Sequence, residues 1–118
     1  MRAPIVLGVR IWDLEPRELC DRHLLGEHRE LHAIWSILTN GKRGYANHPE
    51  TKRWRGRLAA LYARHEAQVG EMRRRGFSHG SPLEPGLASG EARQPERIDP
   101  IAVQRRRLAD RDCGCLSG

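Results

Sequence analysis

Apolar residues along this chain recur at intervals of three and four, the spacing of a helix with one buried face. Leu24, Leu31, Ile34, Trp35 and Leu38 predict a first helix that is capped by Asp21, runs to about Asn40 and is stopped by Gly41. Trp54, Leu58, Leu61, His65, Val69 and Met72 form a second continuous stripe. Its helix opens on the capping-box pattern Asn47-His48-Pro49-Glu50 and can run to Arg75, with Gly76 as its stop and Phe77 folding back as an anchor. Gly56 and Gly70 each weaken that helix by about 1 kcal/mol relative to alanine, and mark either a break or a close approach between helices. Asp99-Pro100 opens a last helix that ends near Asp110. Its apolar positions, Ile101, Leu108 and Val103, are few, so it has to dock to persist.

Around these helices the pattern predicts irregular backbone. Residues 1–8 read as an appendage, Arg10-Ile11-Trp12-Asp13-Leu14 as an extended lead-in, and Glu15 to Cys20 as a turn with Pro16 near its start. Residues 42–47 form a loop. Residues 78–97, rich in Gly, Pro, Ser and Glu, form a longer one. The expected fold class is all-α: a compact bundle of three main helices with long loops. It comprises an extension at 1–8, one domain at 9–110 and a flexible tail at 111–118.

Composition sharpens this picture. A chain of 118 residues can bury one modest core. The charged fraction of 31% is high, and the formal charge of +6 is unevenly placed. Residues 9–83 carry 14 Lys+Arg against 9 Asp+Glu, whereas residues 84–118 carry six of each. The positive field belongs to the folded part, as suits a protein that meets phosphates. No apolar run reaches the roughly 18 residues needed to cross a bilayer, and no export signal is visible. Three cysteines, Cys20, Cys113 and Cys115, make no disulfide framework, and a reducing cytoplasm fits them best.

Candidate chemistry concentrates in His23-Leu24-Leu25-Gly26-Glu27-His28-Arg29-Glu30-Leu31. His23 and Glu30 are seven apart and share one face of the first helix, while Gly26, one turn before Glu30, leaves that face open. A carboxylate at a shallow gap, flanked by Arg29, suits chemistry on an anionic substrate. A helix glutamate taken alone is more often a plain surface group. Lys42, Arg43, Lys52, Arg53, Arg55 and Arg57, interleaved with Tyr45 and Trp54, form a basic cluster that reads as a DNA surface or, more simply, as a solvated helix face. Trp54 starts the apolar stripe and belongs to the core. Arg73-Arg74-Arg75 complements a helix C-terminus. His28 and His32 have the i, i+4 spacing of a shared metal, but without a third placed ligand no metal is expected. His48, His65 and His79 read as cap, core and loop residues. Cys20 reads as a small buried residue; the Cys113 and Cys115 thiols could bind a metal or oxidise, but two thiols in a polar tail more often have no structural task.

The nonapeptide resembles the opening helix of the pyrimidine-dimer DNA glycosylases of the phage endonuclease V type, where a histidine precedes an Arg-Glu-Leu triplet by seven residues. Here these are His23 and Arg29-Glu30-Leu31. Asn40-Gly41-Lys42 and Arg75-Gly76-Phe77 match triplets after the family's first and second helices, and Gln104 to Leu108 is weakly similar to the third. The resemblance implies a cofactor-free glycosylase with abasic-site lyase activity on damaged double-stranded DNA, acting as a monomer. Its nucleophile would be an N-terminal α-amine, whose pKa near 8 leaves a useful neutral fraction at pH 7. The residue matching the family's first residue is Val9, followed by Arg10-Ile11. Valine is the internal reading of GUG, which also initiates, so the functional chain is expected to begin at position 9 as methionine. The resemblance makes Glu30 the proton shuttle and stabiliser of the cationic sugar. Arg10 and Arg29 would hold the flanking phosphates, and His23 would line the pocket. Ala33 stands where the family has an arginine, and Asp112-Cys113-Gly114-Cys115 replaces an aromatic end. A binding module that keeps the scaffold without the catalysis is the alternative.

Overall fold

The computed structural model describes residues 10–41, 47–111 and 113–115. Among them the architecture is all-α: α1 (Asp21–Asn40), a short α2 (Pro49–Trp54), α3 (Leu58–Arg74) and α4 (Ile101–Ala109), with 3-10 turns at Pro16–Glu18 and Pro85–Leu87. The first helix has its expected length, with Cys20 in the N-cap position and Gly41 closing it in the left-handed conformation at φ 64°.

The second expected helix is two. Arg55-Gly56-Arg57 interrupts it, with Gly56 at φ 77°. The apolar stripe survives because α2 and α3 bury it from either side of the break: Trp54 and Leu61 share one core cluster with Ile11, Leu31, Ile34, Trp35 and Leu83. The cap of α2 is His48, whose Nδ1 accepts from the Glu50 backbone N–H at 3.1 Å, rather than Asn47. No side chain caps α3. The long loop does so instead: the Ser89 and Glu91 carbonyls accept from the Ala59 and Ala60 N–H groups at 2.8 and 3.1 Å, and the Gly56 carbonyl accepts from Glu91 at 2.9 Å. Residues 78–97 are therefore an ordered strap, anchored by buried Leu83 and by the bridge between Arg57 and Gly90.

The lead-in threads between two cores. Ile11 enters the first, while Trp12, Leu14 and Leu19 join Leu24, Met72 and Leu108 in a second, with Phe77 packed at its edge. This is the docking that α4 requires: Leu108 is fully buried there. Gln104 holds α4 to the lead-in, accepting from the Asp13 N–H at 2.8 Å and donating to the Asp13 carboxylate at 2.9 Å.

Arg53 corrects an expectation. It does not face solvent with the other basic residues; its guanidinium is buried. Nε donates to Glu50 at 2.7 Å, Nη1 to Asp13 and to the Glu96 carbonyl at 2.7 Å each, and Nη2 to the Ile11 carbonyl at 2.9 Å. One side chain thus ties α2 to the lead-in and to the strap, with four of its five N–H donors engaged inside the fold. Lys52 is exposed on α2 and Arg55 is exposed just after it, whereas Lys42, Arg43 and Tyr45 lie outside the described residues.

Candidate active site

A cavity of about 380 Å³ opens where the N-terminal half of α1 meets the lead-in and the end of α4. His23, Gly26 and Glu30 form its floor, one helical turn apart, as the spacing required. A Cβ built on Gly26 meets nothing within 4 Å, so the glycine leaves space in the cavity rather than easing a close helix contact.

The two carboxylates on this face differ in environment. Glu27 is fully engaged: it accepts from the Trp12 backbone N–H at 2.8 Å, from Arg64 Nε at 2.8 Å, and from the Gln68 amide. It fixes the lead-in against α1 and α3 and has no capacity left for a substrate. Glu30, half-buried, bonds to no described residue. Burial pushes its carboxyl above the usual range, against the opposing pull of Arg29 and His48. A desolvated, uncommitted carboxylate is the one poised to exchange a proton.

The walls are cationic. Arg10 lies with its guanidinium 4.1 Å from the Trp12 ring centre and pairs with Asp99 at 3.0 Å. Its buried Nε has no partner among the described residues. Asp99 also approaches Arg107 at 3.8 Å, so one carboxylate holds two arginines on the same rim. Arg22 and Arg111 complete the lining. Arg22, Arg107 and Arg111 were not singled out from the sequence. Arg22 precedes His23 and was readable from its place on α1. The other two lie in a segment of zero net charge, and only the docking of α4 brings them to Glu30. Conversely, Arg29 does not line this cavity; it is exposed on an adjoining groove with Leu25 and His28. Val9 lies outside the described residues, immediately before Arg10 at the cavity wall.

His23 lines the cavity as expected, but its Nδ1 turns away from it, to 3.1 Å from Cys20 Sγ and 3.3 Å from Cys115 Sγ. Burial and the neighbouring Arg111 and Arg22 hold its pKa below the ordinary value, so the ring is neutral at pH 7. The tail is thus not idle: Cys115 is buried against the start of α1. The His28–His32 pair is not isolated either, because His65 of α3 and His79 of the strap close on it, with ring centres 4.7–6.1 Å apart. His65 is the core residue foreseen and His79 the loop residue, but their convergence is tertiary.

A family model described as pyrimidine dimer DNA glycosylase matches residues 9–85. No curated protein and no solved structure matches the chain.

Proposed function

The chain belongs to the pyrimidine dimer DNA glycosylase family, and from that membership we propose that it excises a damaged pyrimidine from duplex DNA and then cleaves the abasic strand. The observation that carries this reading is the uncommitted carboxylate of Glu30 at the floor of an arginine-walled cavity. The cavity is large enough to take one extruded nucleotide, and the arginines match the phosphates on either side of it.

In the proposed reaction a neutral α-amine at the head of the lead-in attacks C1′ of the damaged nucleotide. The bond from C1′ to the base breaks, and the base leaves with the bonding pair and a proton. Loss of the remaining amine proton and opening of the sugar ring give an imine. The imine acidifies C2′, and removal of a proton there expels the 3′ phosphate by β-elimination. Glu30 serves as the proton acceptor and donor in these steps, for which a carboxyl held above its ordinary pKa is suited. Arg10, Arg22, Arg107 and Arg111, which line the cavity together, neutralise the approaching backbone. Support for placing the amine here is the position of Arg10 on the cavity wall and the start of the family match at residue 9.

Borohydride trapping on ultraviolet-irradiated and abasic duplexes tests this, using the chain begun at position 1 and at position 9. The form begun at position 9 is expected to become covalently joined to damaged DNA. Glu30→Gln should lower strand cleavage by about 100-fold or more while leaving duplex affinity within a few-fold. Binding without any trapped adduct from either form would leave the non-catalytic binding module as the reading.

A further inference from the structure

We propose that His28, His32, His65 and His79 form a zinc site, distinct from the cavity at Glu30. Their ligand atoms all lie within 4.8 Å of one another. His32 Nε2 stands 3.2 Å from both His28 Nε2 and His65 Nε2. Zn–N bonds of about 2.0–2.1 Å give a tetrahedron whose edges are about 3.3–3.4 Å, so both observed spacings are those of ligands around one ion.

The protons point the same way. Gln68 donates its amide N–H to Glu27, which turns its carbonyl oxygen to His28 Nδ1 at 2.7 Å. That oxygen only accepts, so His28 carries its proton on Nδ1 and aims a lone pair from Nε2. The Glu66 carboxylate, 2.7 Å from His65 Nδ1, fixes the same tautomer in His65. His32 has at most one Nε2 proton to offer two lone pairs, and His79 Nε2 is buried without a partner among the described residues. Packed imidazoles alone leave this centre unsatisfied, whereas a cation satisfies it. Gln68 and Glu66 then play the part of the outer acceptors that orient metal-bound histidines.

Cys20, His23, Cys113 and Cys115 carry a second site on separate observations. These four ligand atoms also lie within 4.8 Å of one another. His23 Nδ1 sits 3.1 and 3.3 Å from two sulfurs, and the Cys20 backbone N–H donates to Cys115 Sγ at 3.0 Å, the kind of bond that stabilises a thiolate. Three sulfurs and one imidazole select zinc among the common divalent ions. This ion would staple the chain after α4 to the first turn of α1 and so hold Arg107 and Arg111 over the cavity.

Neither site depends on the glycosylase reading, and metal stoichiometry tests both without an activity assay. The full chain, stripped with chelator and reloaded with Zn(II), is expected to bind two ions by native mass spectrometry. His32→Ala and Cys115→Ser should each leave one. His79→Gln and Cys113→Ser, in the strap and the tail, should repeat the losses if the first pair unfolds by circular dichroism. Glu66→Ala should weaken one ion by about 10-fold and leave the other unchanged. Loaded with Co(II), the chain should show thiolate-to-cobalt absorption that Cys115→Ser abolishes and His32→Ala retains. A variant whose stoichiometry matches the parent overturns its site, and a chain that takes up no Zn(II) overturns both.

Discussion

Arg53 offers the sharpest separation between a residue that holds the fold and one that holds DNA. Arg53→Ala removes a guanidinium whose side chain is 4% exposed and whose nitrogens meet Glu50, Asp13 and the carbonyls of Ile11 and Glu96. Glu50, itself 3% exposed at its side chain, is left with the Trp54 indole N–H at 3.0 Å and the Ile11 backbone N–H at 3.2 Å, but no cation. Breaking one side of a buried pair costs about 3–5 kcal/mol, because the orphaned charge stays desolvated. At about 2.1 cal/mol/K per residue, the unfolding entropy of this chain is roughly 0.25 kcal/mol/K, so the expected fall in melting temperature is about 12–20 °C. Arg53→Lys keeps the charge but loses the fork, and should recover part of that loss. The check is a thermal melt followed by circular dichroism, paired with duplex affinity against salt well below the variant's melting point. Each phosphate contact contributes about 0.9 to the slope of log K against log salt, and the Arg53→Ala slope should equal the parent's. A melting shift under about 4 °C together with a slope reduced by about one would refute the assignment of Arg53 to the interior.

Gly26→Ala should stabilise the protein by about 1 kcal/mol in urea denaturation, since its Cβ meets nothing and α1 gains propensity, whereas Gly26→Leu should fold but lose excision activity by filling the cavity; an active leucine variant would move the reaction elsewhere. Gly90→Ala should cost at least about 2 kcal/mol, because φ is +82° and the new Cβ lies 2.2 Å from the Gly56 carbonyl oxygen; chemical denaturation measures it, and a neutral effect would mean that the strap does not seat as described. Arg74 and Arg75 hold the Glu71 carboxyl at about 2, below its ordinary 4.5. A depressed carboxylate stabilises the fold above its unfolded pKa and ceases to do so as pH falls through the folded one. Glu71→Gln should therefore be less stable than the parent by about 1–2 kcal/mol at pH 7, with Arg74 screened by solvent, and the gap should close between about pH 5 and pH 2. A gap independent of pH would assign the loss to packing.

Local physics made much of this protein legible in its sequence. The period of three and four, with Gly41 as a stop, delimits α1 to within a residue, because helix formation there rests on contacts near in sequence. The same periodicity puts His23, Gly26 and Glu30 on one face, and the resemblance of that run reaches the right family. Periodicity could not see the break at Gly56, since the stripe continues in phase across it. Nor could it tell Arg53 from Lys52, which differ only in which way α2 turns them. The cationic rim of Arg107 and Arg111, the strap that caps α3, and the meeting of four histidines and of three cysteines with His23 join residues up to 95 positions apart. Those pairings are decided when the two cores close around the lead-in and α4 docks, and long-range closure of that kind leaves no periodic mark on the chain.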